Sequence, residues 1–505
     1  MPVEDDGTLP EALPFEITRP AAGQAPSGAE VTAFTEKITG FWRSIDYFRW
    51  VTWHSHGLHE SYDASMPDYM MWWQDTRAIK AGDRITFEHY GGADNIMIRT
   101  PKVLSQAVSG FMASGDPHMR EIAIGYPKGL VANFQGLVQA NEDPVAKGVT
   151  ARAIFTHNHS FETNDGRQVA VDYDPAKEEK YDWNAHTVPN PQNPFFGDIW
   201  VRNMRSKDDV PHMFRLVPLL KRVAQDTDDE EVRASAELAV EYMTAFAQDI
   251  VDQGYLIRTK EDGEVYVPLD DRGGIADLAS FVKFEDLSPN GECTAKLGAA
   301  LIGYGQPLWN ECGSGVDDAY EGVATTVHYF NYAIIWYFHL AAITNAFVAG
   351  ELDAARGLMD GLVERLDAMT ADDTEREEHW EWDADVASFL LAAGASGLPL
   401  TAAEARIVQQ EYSLSVDHYL TPGAWRDEAC QQGANCWDLW DDSVPDGQYD
   451  YKPSRDDPDE AAQKKYVRPE ELTYLLHYCY SPLRNPTSVD PVDCDVVLDP
   501  SSWGP

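Results

Sequence analysis

Basic residues are scarce. Lysine and arginine together number 39 against 84 aspartates and glutamates in 505 residues, a formal charge of −45. A surface so poor in cations repels phosphate backbones and anionic membrane faces, so nucleic acid is not an expected partner. The start of the chain also lacks the basic region and apolar core of a signal peptide. Residues 1–29, rich in Pro, Gly and Ala, read as a disordered linker that once joined the folded part to a signal or to an N-terminal lipid or membrane tether. Signature motifs are missing too: there is no P-loop, no dinucleotide-binding glycine fingerprint after a strand, no GxSxG, no HExxH and no CxxC.

The acids are spread as pairs along the whole length beside 44% hydrophobic residues, which describes a folded protein with an acidic skin and not an acidic tail. A salty habitat or calcium binding would each account for them. The six cysteines, Cys293, Cys312, Cys430, Cys436, Cys479 and Cys494, all fall in the second half. Spacing favours the local disulfides Cys293–Cys312, Cys430–Cys436 and Cys479–Cys494, and bridges imply an oxidising compartment: secreted, cell-surface or periplasmic.

The stretch Gly315–Gly350 has no charged side chain between Glu321 and Glu351 and reads as one long central helix. Steps of three and four place His328, Tyr332, Ile335, Trp336 and His339 on one face, as the wall of a pocket or as ordinary core. The polar His328, Asn331, His339 and Asn345 argue against a membrane span there. Helical periodicity also marks Glu30 to about Trp50, Lys102–Ala113, Pro117–Gln139, Pro211–Ala224, Glu230–Gly254, Glu351–Met369, Asp383–Ala393, Thr401–Tyr412 with a Thr401/Glu404 capping box, and about Pro469–Cys479. A strand is expected at Asp83–His89. A β-hairpin is expected from Ala151–Thr163 and Val169–Tyr173 around an Asp-Gly turn, and an aperiodic functional loop over 181–206.

Antiparallel helix pairs therefore recur, about twelve helices in six pairs, with hairpins and long loops inserted between them. In layout and aromatic content, residues 30–480 resemble the (α/α) toroid family of secreted glycan-processing enzymes, polysaccharide lyases and glycoside hydrolases. The resemblance implies a mainly α, toroid-like barrel of helical hairpins as the catalytic domain, with 481–505 as a disulfide-tethered tail. It rests on no signature motif, so it transfers no catalytic residue.

The residues themselves offer several chemistries. A lyase needs a base beside a uronate carboxylate and a donor or cation to neutralise it, and His157, His159, His328, Tyr332, Arg202, Asn203 and Arg205 are of those types. A hydrolase needs two carboxyl groups about 5 to 9.5 Å apart, with Asp94, Asp198, Glu311, Asp317, Asp383 and Asp385 as candidates. On an unbroken strand Phe155, His157, His159 and Phe161 would share a face, and the two imidazoles, about 7 Å apart, could join one of His54, His56 or His59 on zinc or copper. Asp438, Asp441, Asp442 and Asp446 offer oxygens to calcium without EF-hand spacing. Trp72, Trp73, Trp183, Trp200 and Trp309, in or beside expected loops, are candidate sugar platforms. These features predict a secreted enzyme cleaving an acidic polysaccharide, elimination slightly ahead of hydrolysis. The alternatives are a metalloenzyme using the His-x-His motifs and a non-catalytic surface protein that binds glycan or a partner.

Overall fold

The computed structural model describes residues 25–44, 76–89, 96–138, 150–156, 159–162, 168–172, 187–202, 212–213, 215–252, 258–261, 265–268, twelve positions between 340 and 359, 382–420, 444–451, 466–467, 469–485 and 487–503.

Helix α1 (Gly28–Ser44) opens on a capping box: the Ser27 amide donates to Glu30 Oε2 at 2.7 Å and the Glu30 amide to Ser27 Oγ at 3.4 Å. Its stripe of Phe34, Ile38, Phe41 and Trp42 is buried, Phe41 meeting Tyr419 of α7 (Ala402–Leu420). Ion pairs Arg406–Glu30 and Lys37–Asp417, each at 2.8 Å, line the outer edge of the same contact.

Helices α2 (Ile96–Ser114) and α3 (Pro117–Gly136) form the expected hairpin, Asp116 Oδ1 accepting from the Met119 amide at 2.9 Å as cap of the second. Helix α2 begins well before the expected Lys102, running through Pro101, whose missing amide leaves one carbonyl of the first turns without its helical donor. Helix α4 (Val217–Asp226) turns into α5 (Glu230–Asp252), whose Val232, Ala236, Ala239, Met243 and Phe246 are buried as their spacing predicts. Phe134 of α3 packs edge-on to Phe246 at 5.5 Å and against Tyr242 at 5.6 Å.

Of the central stretch, Leu340, Ile343, Thr344, Ala346 and Phe347 are helical, and the first four are buried. The turn ends at Gly350, whose φ of 85° is the left-handed conformation that suits glycine at a helix end. Helix α6 (Trp382–Ala395) precedes α7, where Thr401 and Glu404 form the anticipated capping box with bonds of 2.7 and 3.3 Å. The short helices α8 (Pro469–Leu472), α9 (Tyr474–Tyr480) and α10 (Cys494–Val497) complete the set.

The expected closed (α/α) toroid is not what forms. The described residues build ten helices and small sheets with no closed barrel. A toroid rings its hairpins around an axis, whereas α9 is buried along its whole length between α2 and α6, and one continuous apolar core runs from α1 through α9. Gly394 admits this packing: a Cβ there would stand 2.6 Å from the Tyr478 ring. The architecture is a packed helical bundle.

The sheets also depart from expectation. Strands β1 (Thr76–Ala81) and β2 (Arg84–His89) form a hairpin, only the second of which was expected. Strand β3 (Ala153–Thr156) and β4 (His159–Glu162) replace the single strand expected over Ala151–Thr163. Strand β4 does pair antiparallel with β5 (Gln168–Asp172), as expected, but in a five-stranded sheet with β1, β2 and β10 (Gly447–Tyr451), of order β10-β1-β2-β5-β4. Strand β3 lies in another sheet, with β6 (Thr187–Asn193) and β7 (Gly197–Arg202), so residues 187–202 of the expected aperiodic loop are a hairpin. Strands β8 (Arg258–Glu261) and β9 (Val265–Pro268) form a ribbon.

Candidate functional site

The β6–β7 hairpin has a structural task that explains its asparagines. Asn193 is buried; its Oδ1 accepts from the amides of Phe195 and Phe196, both at 2.9 Å, which builds the turn. Its Nδ2 donates to the carbonyls of Gln135, Gly136 and Val138 at 2.8, 3.1 and 3.2 Å. Asn190 Nδ2 adds bonds to Gly136 and Val138 at 2.9 and 3.1 Å. Two side-chain amides thus satisfy the orphan carbonyls at the end of α3. The Asn-Pro-x-Asn-Pro spacing at 190–194 was the available signal, but the aperiodic aromatic composition around it pointed to a substrate loop.

The same sheet separates candidate catalytic groups. Antiparallel pairing sets Ala153 opposite Arg202 and Thr156 opposite Ile199. The last described residue of β3, Thr156, therefore lies about three residues, roughly 10 Å, along the sheet from Arg202. His159 belongs to the other sheet, opposite Val171, so Phe155 does not share a strand face with His159 and Phe161 as an unbroken strand would require. Trp200 stands on a strand opposite Phe155, half-buried against the small core of Ala151, Ile154 and Ile199, where it anchors the hairpin. Asp198 is exposed on the same strand. Asp446 accepts the Gly82 amide at 2.8 Å and so ties β10 to the β1–β2 turn.

His54, His56, His59, Trp72, Trp73, Asp94, His157, Trp183, Asn203, Arg205, Trp309, Glu311, Asp317, His328, Tyr332, Trp336, His339, Asp438, Asp441 and Asp442 lie outside the described residues, as do Cys293, Cys312, Cys430 and Cys436. Asp383 and Asp385 are in the first turn of α6. Cys479 and Cys494 form a disulfide with Cα atoms 5.2 Å apart, which fastens the C-terminal tail. The tail is further held by Gln409 Nε2 on the Pro491 carbonyl at 2.6 Å and by the Asp493 amide on Thr35 Oγ1 at 2.9 Å. No group of three metal-ligating side chains occurs among the described residues, and no helix among them is long and apolar enough to cross a membrane.

Two polar constellations went unnoticed in the sequence. The first is sealed in the bundle: Lys102 of α2 and Glu471 of α8, 4% and 3% exposed, form an ion pair. Ser388 Oγ donates to Glu471 Oε2 at 3.2 Å, the Tyr412 hydroxyl donates to the Glu471 carbonyl at 2.9 Å, and the Lys102 ammonium sits 5.6 Å from the Tyr474 ring centre. Burial pushes the Tyr412 hydroxyl well above its ordinary range, so it stays neutral. This cluster joins five helices, α2, α6, α7, α8 and α9, in the buried core.

The second is a small cleft where the start of α4 meets the end of α9, lined by Arg215, Leu219, Thr344, Ser396, His477 and Ser481 among others. His477 is held down at about 3, by burial first and the Arg215 charge second, so its ring is neutral at ordinary pH. Ser396 and Ser481 spend their hydroxyl protons on the carbonyls of Ala392 and Ala395. The cleft offers positive potential and imidazole, without a nucleophile freed for attack. No family model, no curated protein and no solved structure matches the chain.

Proposed function

We propose that the protein is an exported enzyme that cleaves an acidic polysaccharide, with elimination ahead of hydrolysis. The Cys479–Cys494 bridge carries the exported half of this reading, because such bonds persist in oxidising compartments. The glycan half is supported in the sequence by Trp72, Trp73, Trp183 and Trp309, in or beside expected loops, and by the three-and-four spacing of His328 and Tyr332, residue types that can serve elimination as a base. The bases this reading carries are His157, His159, His328 and Tyr332, with Arg202 and Asn203 as the cation and donor beside the uronate carboxylate.

A panel of uronate-containing and neutral polysaccharides tests this. Products absorbing in the near ultraviolet mean elimination, and new reducing ends without that absorbance mean hydrolysis. Neither product on any glycan overturns the enzymatic reading. The separation of Arg202 from Thr156 at the end of β3 and the anchoring role of Trp200 favour a second reading, a non-catalytic glycan-binding surface protein, identified by retention on the same glycans without turnover. Stoichiometric calcium, zinc or copper in protein purified without chelator, lost in the His157→Ala, His159→Ala double variant if a transition metal, would instead favour the metalloenzyme alternative.

A further inference from the structure

The chain carries more than twice as many acids as bases, yet the cleft at the start of α4 shows no carboxylate among its described lining residues. What lines it is of the opposite character. Arg215, 7% exposed, presents a guanidinium, and the only charge felt by the His477 ring among the described groups is that of Arg215. His477 is also 7% exposed, and its Nδ1 has no hydrogen-bond partner. A buried ring nitrogen without a partner leaves its desolvation uncompensated, which a bound acceptor facing its N–H would offset.

The opening turn of α4 contributes a third feature. Pro218 and Leu219 of that turn line the cleft, and the cap residue Leu216 has no side chain able to accept a hydrogen bond there. The cap residue thus supplies no side-chain acceptor to the positive end of this ten-residue helix. The free space is small, about 10 Å³, which suits a compact occupant and not an extended one such as a sugar acid.

We propose that this cleft is a binding site for one chloride-sized monovalent anion, held between the Arg215 guanidinium, the His477 ring and the first turn of α4. The ion ties the α4 start to the α9 end and stabilises the bundle by mass action. The site is independent of any action on glycans.

Chlorine NMR line width of sodium chloride solutions containing the full chain reads the site directly, since exchange with a protein-bound ion broadens the resonance. Excess broadening that bromide displaces, and that is lost in Arg215→Gln and reduced in His477→Gln, is the expected result. Both variants are first checked for native circular dichroism, and either folded one suffices. Absence of displaceable broadening in the unaltered protein overturns the proposal, and so does broadening that survives unchanged in a folded variant. As a second reading, the unfolding midpoint should rise saturably in chloride or bromide above its value in gluconate of equal ionic strength, by a few degrees. No difference between halide and gluconate also overturns it.

Discussion

Asn193 Nδ2 lies 2.8 Å from the carbonyl oxygen of Gln135, so the side chain of a β-turn closes the C-terminal end of a helix more than fifty residues earlier in the chain. The residue is buried at 4% exposure, and its oxygen holds the turn while its nitrogen holds the helix. Asn193→Ala removes both and leaves buried amides and carbonyls unpaired. A loss of about 1–3 kcal/mol is expected, read as a lower denaturant midpoint. Asn193→Asp is expected to be no better, because a carboxylate faces helix carbonyls where the amide donated.

The buried pair of Lys102 and Glu471 behaves asymmetrically. Lys102→Met leaves Glu471 charged among Ser388, Tyr412 and apolar neighbours, and should cost about 3–5 kcal/mol. Lys102→Met combined with Glu471→Leu should recover most of that loss. Equal destabilisation by the single and the double variant in urea would mean that the charge is not what matters.

Acid should weaken the fold through His477. Its folded value of about 3 lies below the ordinary 6.5, so the unfolded chain binds a proton that the folded chain refuses. The contribution is complete above 6.5 and is lost progressively as pH falls toward 3, at up to about 1.4 kcal/mol per pH unit. His477→Leu in halide-free buffer should flatten the stability profile between pH 6.5 and 5, where few carboxylates yet titrate. An unchanged slope there would remove His477 as its cause.

Reduction of Cys479–Cys494, which encloses a separation of 15 residues, should cost roughly 3 kcal/mol. The Cys479→Ala, Cys494→Ala variant should show the same loss and faster proteolysis after residue 481, with the Gln409 and Thr35 contacts to the tail weakened. Proteolysis at an unaltered rate would show that those contacts suffice.

A chain carrying −45 repels itself, and added salt screens that repulsion. The midpoint of thermal unfolding should rise with ionic strength for any monovalent salt. A flat response would indicate that ion pairs such as Arg120–Asp229 at 2.6 Å already balance the field locally.

Local spacing along the chain encodes what lies within a turn or two of each residue. The Thr401/Glu404 box, the α5 stripe, the α2–α3 hairpin and the glycine end at Gly350 follow from spacings of three and four residues, and they stand in the structure as read. Only the tertiary structure decided the rest. Strand β1 finds β10 some 370 positions later, and Lys102 finds Glu471 across 369, pairings that no local period encodes. Strands β3 and β4 go to different sheets, and each sheet has its own apolar core, Ile154 with Ile199 and Val201 in one and Val169 of β5 with Ile85 and Phe87 in the other. The toroid failed for the same reason: helix pairing is local, but whether pairs ring an axis or enclose α9 is decided by long-range packing, here by a glycine at 394 that lets Tyr478 reach α6.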